Sequence, residues 1–196
     1  MADALLSLLK LIVTLISGAA LGLGTAYLAM HGGKGFGAVR VGVWVTWPLL
    51  GSDAADPYAR AIVSRTGEIP LALAEGLTFT ARTDETGEPL VATCTYRLSG
   101  AMPAARTWTL SLADPGGYLV DNPAHRYGFT SQEIVRAADG SVQIVVSRSA
   151  RAGNWLPIGN VPQFLLLLRL YDTPLSATAA TLDKSTMLSI KRDACR

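Results

Sequence analysis

The sequence predicts a mainly β domain, an antiparallel sandwich or barrel-like fold with one short helix, preceded by an N-terminal transmembrane helix. Three observations lead to this fold class: an early uncharged apolar stretch, several later segments that alternate apolar and polar residues, and polar turn sequences between them. No helices alternate with the strands, as a parallel sheet would require. We therefore divide the chain into a membrane segment, residues 1–34, and a globular domain, residues 35–196.

The membrane segment is predicted from its length and lack of charge. Leu11–Met30 is an uncharged stretch of 20 residues. At about 1.5 Å of rise per residue, a helix of this length covers the roughly 30 Å hydrocarbon core of a bilayer. A cleaved signal peptide is the alternative, but it usually has a basic start, and the first nine residues contain no Lys or Arg. We expect an uncleaved anchor with a glycine-rich exit around Lys34.

Gly18 and Gly22 form a small-xxx-small pair within the predicted membrane helix. Such a pair lets the backbones of two membrane helices approach closely. Glycine is also generally frequent in membrane helices, so the pair has a non-specific explanation as well. If the pair is a packing site, the helix contacts the lipid bilayer and also packs on a partner. That partner would be another membrane protein or a second copy of this chain.

A short helix is predicted after residue 56. Asp56 is a suitable N-cap, Pro57 fits the first helical turn, and Gly67 fits the end.

Alternating segments predict the strands that follow. Leu90–Leu98 and Thr107–Ala113 alternate apolar and polar residues, as does Leu77–Arg82. Asp139-Gly140 predicts a hairpin turn between Ile134–Arg136 and Ser141–Ser147.

Phe164–Tyr171 is too continuously apolar for a strand with one face in water, so we place it in the middle of the core. Its one charge, Arg169, is expected to find a carboxylate or carbonyl partner. Gly153–Pro157 is expected to be a turn that opens onto this strand.

The two cysteines are Cys94, in a predicted strand, and Cys195, the second-last residue of the sequence. A disulfide between them would close a long loop and persist only in an oxidising compartment. One buried and one free thiol is the alternative. We expect the disulfide, because a cysteine at such an exposed place is seldom kept for packing.

Charge and residue counts exclude several function classes. The 17 basic residues are scattered singly among 15 acidic ones, so no basic block favours nucleic acid. Two cysteines and two histidines are too few for a multi-cysteine metal centre. The glycines show no phosphate-loop spacing. We expect no catalytic, cofactor or metal residues.

The densest polar cluster is Asp121–Tyr127. One interpretation makes His125 a general base oriented by Asp121, with Arg126 binding an anionic substrate. The other makes the cluster a turn that Arg126 and Tyr127 anchor to the domain. The first interpretation, extended to Trp155 as a stacking platform, predicts a ligand pocket lined by His125, Arg126 and Trp155.

An ordered series of short motifs resembles the bacterial domain-of-unknown-function family 1214. The series comprises Asp56–Ala61, Tyr96–Leu98, Arg106–Leu110, Asp121–Pro123 with Arg126-Tyr127, Asp139–Ser141, Asn154–Pro157 and Leu168–Tyr171. The resemblance covers about Gly42 onward and implies a mainly β, sandwich-like fold. That family often occurs with a partner domain, family 1254, whereas here a membrane helix stands in its place. The resemblance implies no reaction, cofactor or catalytic residue.

Two functions follow as expectations. The first is a periplasmic accessory protein anchored in the bacterial inner membrane by one helix. The second is a hydrolase or a small-ligand or lipid-binding domain that uses the pocket near His125. The basic residues slightly favour a cytoplasmic C-terminal domain, since Lys10 precedes the apolar stretch while Lys34 and Arg40 follow it. The expected disulfide favours the periplasm.

Overall fold

The computed structural model describes residues 2–31, 37–66, 69–177 and 183–195. The expected glycine-rich exit around Lys34 and the expected helix end at Gly67 lie outside the described residues.

The first helix, α1, covers Ala2–His31. Its Asp3–Met30 portion is long and apolar enough to cross a membrane, by length and composition, with a mean hydropathy of 2.1. Large side chains such as Leu21 and Leu23 are more than two thirds exposed. An anchor and a signal sequence both have these properties. The helix therefore presents apolar surface that the domain does not cover.

The second helix, α2, covers Pro57–Thr66 and contacts α1. Asp56 caps it, because one carboxylate oxygen accepts hydrogen bonds from the backbone N–H groups of Tyr58 and Ala59, both at 3.0 Å. The expected helix start is confirmed.

Ten strands are formed within the described residues. In chain order they are β1 (Val39–Val41), β2 (Trp44–Thr46), β3 (Gly76–Ala81), β4 (Cys94–Gly100), β5 (Thr107–Ala113), β6 (Gly128–Thr130), β7 (Val142–Ser147), β8 (Asn154–Pro157), β9 (Leu165–Tyr171) and β10 (Ser189–Cys195). Short 3-10 helices at Pro174–Ala177 and Lys184–Thr186 precede β10.

The strands form two sheets. The larger sheet has the order β1-β2-β3-β9-β5-β6, and every neighbouring pair in it is antiparallel. The smaller sheet has the order β10-β4-β7-β8, with a parallel pairing only between β7 and β8. The fold is thus mainly β and sandwich-like, as the sequence predicts.

One hydrophobic core lies between the sheets. Alternate residues of each strand point into it, because successive side chains of a strand face opposite ways. Its fully buried members include Phe79, Leu110 and Leu168 from the larger sheet and Tyr96, Ile144 and Leu156 from the smaller one. The indole N–H of Trp44 donates to the Leu188 carbonyl at 2.7 Å, which ties β2 to the chain just before β10. The expected central position of β9 is confirmed, since β3 and β5 flank it.

One local expectation is wrong and a second is confirmed only in part. Gly153–Pro157 is not a turn, because Asn154–Pro157 forms β8. The expected turn at Asp139-Gly140 forms, since the Gly140 N–H donates to the Ala137 carbonyl at 2.9 Å, but the expected strand before it, Ile134–Arg136, makes only an isolated antiparallel bridge to β7. Its backbone bonds elsewhere: the Asn154 side-chain amide accepts from the Val135 N–H at 2.9 Å and donates to the Val135 carbonyl at 2.7 Å. The Asn154 side chain therefore makes the hydrogen bonds to the Val135 backbone that a neighbouring strand would otherwise make.

Candidate functional site

The expected disulfide is present. Cys94 and Cys195 lie directly opposite each other in the β4–β10 ladder and are bonded, at a sequence separation of 101 residues. The pairing thus joins the edge strand of the smaller sheet to its neighbour.

The polar cluster at residues 121–127 is a loop organised by the buried side chain of Asn122. Its amide nitrogen donates to the carbonyls of Val120 (3.3 Å) and Arg126 (3.0 Å), and its oxygen accepts from the Arg126 N–H at 3.2 Å. The Tyr127 hydroxyl donates to Asp121 at 3.1 Å. This bond, with some burial and the carboxylate charge, raises the pKa of Tyr127.

The three residues of the expected ligand pocket are only partly brought together. The Arg126 guanidinium donates to the Trp155 carbonyl at 3.2 Å and lies over the Phe129 ring at 5.2 Å. His125 is exposed and has a φ of 48°, in the left-handed region. The Asp121 carboxylate accepts from Tyr127 and from the Asn122 N–H, not from His125. Arg126 and Tyr127 thus anchor the loop, and a ligand at His125, Arg126 and Trp155 stays a prediction.

Replacing Asn122 with Ala is expected to lower the free energy of unfolding by about 1 to 3 kcal/mol, because it leaves buried backbone groups without their partners. Urea denaturation followed by tryptophan fluorescence measures the change. Asn160→Ala, at an exposed position, is the matched control and should stay within about 0.5 kcal/mol of the unsubstituted chain. Equal losses in the two variants would contradict the role given to Asn122.

The helix-packing residues Gly18 and Gly22 lie on α1 with open space around them. A Cβ added at either position would meet nothing within 4 Å. The small-residue face is therefore uncovered by the rest of the described chain, and its packing on another helix stays a prediction.

A further candidate site, which the sequence does not predict, lies on the outward face of the larger sheet. There β9 presents Leu165, Leu167 and Arg169, while Leu166, Leu168 and Leu170 point into the core. Leu165 and Leu167 form a small apolar cluster of their own with Ala113. The sequence contains one signal for this site, because Arg169 is the only charged residue in an otherwise apolar strand.

Two adjoining cavities, of about 300 Å³ and 390 Å³, open over this face. Both are lined by Gly117, Leu167 and Arg169. The first also touches Ile69 and Tyr118, which are 82% and 69% exposed. We call this surface the β9 groove: Arg169, Leu167 and Leu165 along its floor, with the neighbouring outward side chains of β3 and β5.

The expectation that Arg169 finds a carboxylate or carbonyl partner is wrong for the described part of the chain. Its Nε is buried without a hydrogen-bond partner, and Arg169 takes part in none of the ion pairs there. The register explains this, because Arg169 stands between Thr78 on β3 and Thr109 on β5. Its cross-strand neighbours are therefore hydroxyls instead of carboxylates.

Among the described residues, no group of three or more His, Cys, Asp or Glu side chains is placed to hold a metal ion.

Comparison with known proteins agrees with the fold. Residues 75–175 match the family described as "Protein of unknown function (DUF1214)". The crystal structure of the VPA0106 protein from Vibrio parahaemolyticus is similar at a TM-score of 0.56 and 18% identity, over 72% of this chain and 36% of that one. An uncharacterized protein from Burkholderia cenocepacia has a TM-score of 0.42 and 19% identity, over 94% of this chain and 52% of that one. This chain therefore spans only about a third to a half of these proteins, and no curated protein matches it.

Proposed function

Since the chain belongs to the DUF1214 family, whose members are of unknown function, we propose that it is a membrane-anchored accessory protein with its β domain in the periplasm. The observation that carries the proposal is the combination of an exposed apolar helix with a disulfide-closed domain in one chain. The helix supplies a membrane-spanning length, and the disulfide is stable only under oxidising conditions.

The small-residue face of α1 supports the accessory role. Gly18 and Gly22 are uncovered, and nothing in the described domain packs on them. A helix that serves only as a tether needs no such face, whereas one that packs on a second membrane helix gains close backbone contact from it.

Compartment and anchoring are tested with two single substitutions at exposed alanines, Ala4→Cys near the start of α1 and Ala150→Cys in the domain. Intact spheroplasts are treated with a membrane-impermeant maleimide. We expect Ala150→Cys to react at once and Ala4→Cys to react only after lysis. The reverse pattern would place the domain in the cytoplasm, and an intact mass lacking the first thirty residues would show a cleaved leader.

Association is tested with Gly18→Leu and Gly22→Leu in the full chain, purified in a mild detergent. We expect the larger side chains to weaken association with the partner, or with a second copy, by about tenfold, equivalent to ~1.4 kcal/mol. Ala20→Leu is the matched control, because at about 100° per residue Ala20 lies on the opposite side of the helix. A clean monomer of the unsubstituted chain in several detergents would overturn the accessory role.

A further inference from the structure

We propose that the β9 groove binds a small anionic amphiphile, a molecule with a carboxylate or phosphate head group and a hydrocarbon chain. The head group pairs with Arg169 and the chain lies on Leu167 and Leu165. This ligand class goes beyond the accessory role proposed above and does not depend on it.

The unpaired guanidinium is the first reason. A buried nitrogen of a charged group that lacks a hydrogen bond is costly, since its lost hydration is not replaced. The Nε of Arg169 is in this state among the described residues, on the central strand β9 of the larger sheet, while the side chain as a whole is half-buried. Its planar fork of N–H donors matches the two oxygens of a carboxylate or phosphate.

The hydroxyls beside it are the second reason. Thr78 and Thr109 are the cross-strand neighbours of Arg169, one on each side. Thr109 and Arg169 line the same cavity of about 390 Å³, whereas the Thr78 hydroxyl is buried without a hydrogen-bond partner and lines neither cavity of the groove. A hydroxyl both donates and accepts, so that of Thr109 can donate to an anionic oxygen held by the guanidinium.

The rest of the groove is apolar, which is the third reason. Leu165 and Leu167 are only 2% and 9% exposed, yet both line the cavity of about 300 Å³. Ile69 and Tyr118 line the same cavity and are largely exposed. Burying these side chains against a hydrocarbon chain removes apolar surface from water. The two cavities together have the size of a small-molecule site.

The groove has one further charge of each sign. Arg82 adds a second positive charge to the cavity of Leu165. Glu133 lines the neighbouring cavity, but one of its carboxylate oxygens already accepts from the Thr130 N–H at 3.1 Å and the Thr130 hydroxyl at 3.0 Å. Glu133 therefore stabilises its own loop and forms no ion pair with Arg169.

The test uses the full chain in phosphatidylcholine nanodiscs, with isothermal titration calorimetry of octanoate, octyl phosphate, octanol, acetate and inorganic phosphate. We expect octanoate or octyl phosphate to bind at least tenfold more tightly than octanol, acetate or inorganic phosphate. Whichever of octanoate and octyl phosphate binds more tightly shows whether the head group is a carboxylate or a phosphate. Octanol binding as tightly as both, inorganic phosphate binding as tightly as octyl phosphate, or no binding at all would each overturn the proposal.

Variants locate the site. Arg169→Gln should weaken binding by at least tenfold and Thr109→Val by a few-fold, while Arg151→Gln, at an exposed arginine outside the groove, should leave it unchanged. Arg169→Leu should raise the Tm of the ligand-free chain by about 2 to 4 °C, because it removes a polar group whose buried Nε lacks a hydrogen bond. A lower Tm for Arg169→Leu, or unchanged binding by Arg169→Gln, would make Arg169 a structural residue and overturn the proposal.

Discussion

Removing the Cys94–Cys195 disulfide is expected to lower the free energy of unfolding by about 4 to 5 kcal/mol. The bond closes a loop with a sequence separation of 101 residues, and in the chain-entropy model a loop of that length restricts the unfolded chain by this amount. The loss is a large fraction of the 5 to 15 kcal/mol that is typical for the free energy of unfolding of a domain. Chemical denaturation of the full chain in mild detergent, with and without reductant, measures it.

The double variant Cys94→Ala, Cys195→Ala separates loss of the bond from side effects of the reductant. It should unfold at the same denaturant concentration with and without reductant, close to that of the reduced unsubstituted chain. A difference below about 1 kcal/mol between oxidised and reduced protein would show that the β4–β10 ladder is held by its other contacts.

Replacing Asp84 with Ala is expected to lower the free energy of unfolding by about 3 to 5 kcal/mol. Asp84 is 1% exposed, and one of its oxygens lies 2.8 Å from Nε of Arg192. Its other oxygen accepts from the Thr86 hydroxyl (2.6 Å) and from the N–H groups of Thr86 (2.9 Å) and Glu88 (3.2 Å). Alanine would leave the buried Nε of Arg192 without its counter-charge and would remove the one acceptor that holds the Thr86 and Glu88 donors.

The matched control is Asp193→Ala, which removes the ion pair of Asp193 with Arg97. Both side chains of that pair are at least a third exposed, so we expect a loss below about 1 kcal/mol. Both variants are compared with the unsubstituted chain by denaturant midpoint. Equal losses at the two sites would contradict the burial argument for Asp84.

The same carboxylate makes stability depend on pH at the acid end. Burial raises the pKa of Asp84, but the hydrogen bonds from Thr86 and Glu88 and the charge of Arg192 outweigh it, so the pKa is lowered in the folded protein. The contribution is therefore fully present above the unfolded pKa of about 3.9 and is lost as the pH falls through the lower folded pKa. Asp84→Asn should flatten this part of the stability profile, as acid titrations of Tm will show.

The features that the sequence predicted correctly depend either on a pattern within a short segment or on there being only two cysteines to pair. Leu11–Met30 is apolar over a length that suffices to cross a membrane, and it lies within one helix. Asp56 and Pro57 form a helix start whose hydrogen bonds all lie within a few residues. Cys94 and Cys195 have no other cysteine to pair with. In each case the information lies within one short segment or in a count of one residue type.

The missed strands lack such a local signal. β1, β2 and β6 have three residues each, too few for an alternation to stand out. β10 carries the charged run Lys191–Asp193 because it is the edge strand and its outer residues stay in water. β8 begins at Asn154, a residue typical of turns, whose side chain instead bonds to the backbone of Val135.

From the sequence alone follow the membrane-spanning length of the first helix, the mainly β class of the domain and the cysteine pair. The tertiary structure alone decided the state of Arg169. Its surroundings come from β3, β5 and β9, which lie far apart in the chain, and the register between them sets which side chains stand beside it. That register placed Thr78 and Thr109 there, so the guanidinium stayed unpaired within the described residues and lines an open groove. A pattern read along one strand contains no information on what the neighbouring strands place beside it.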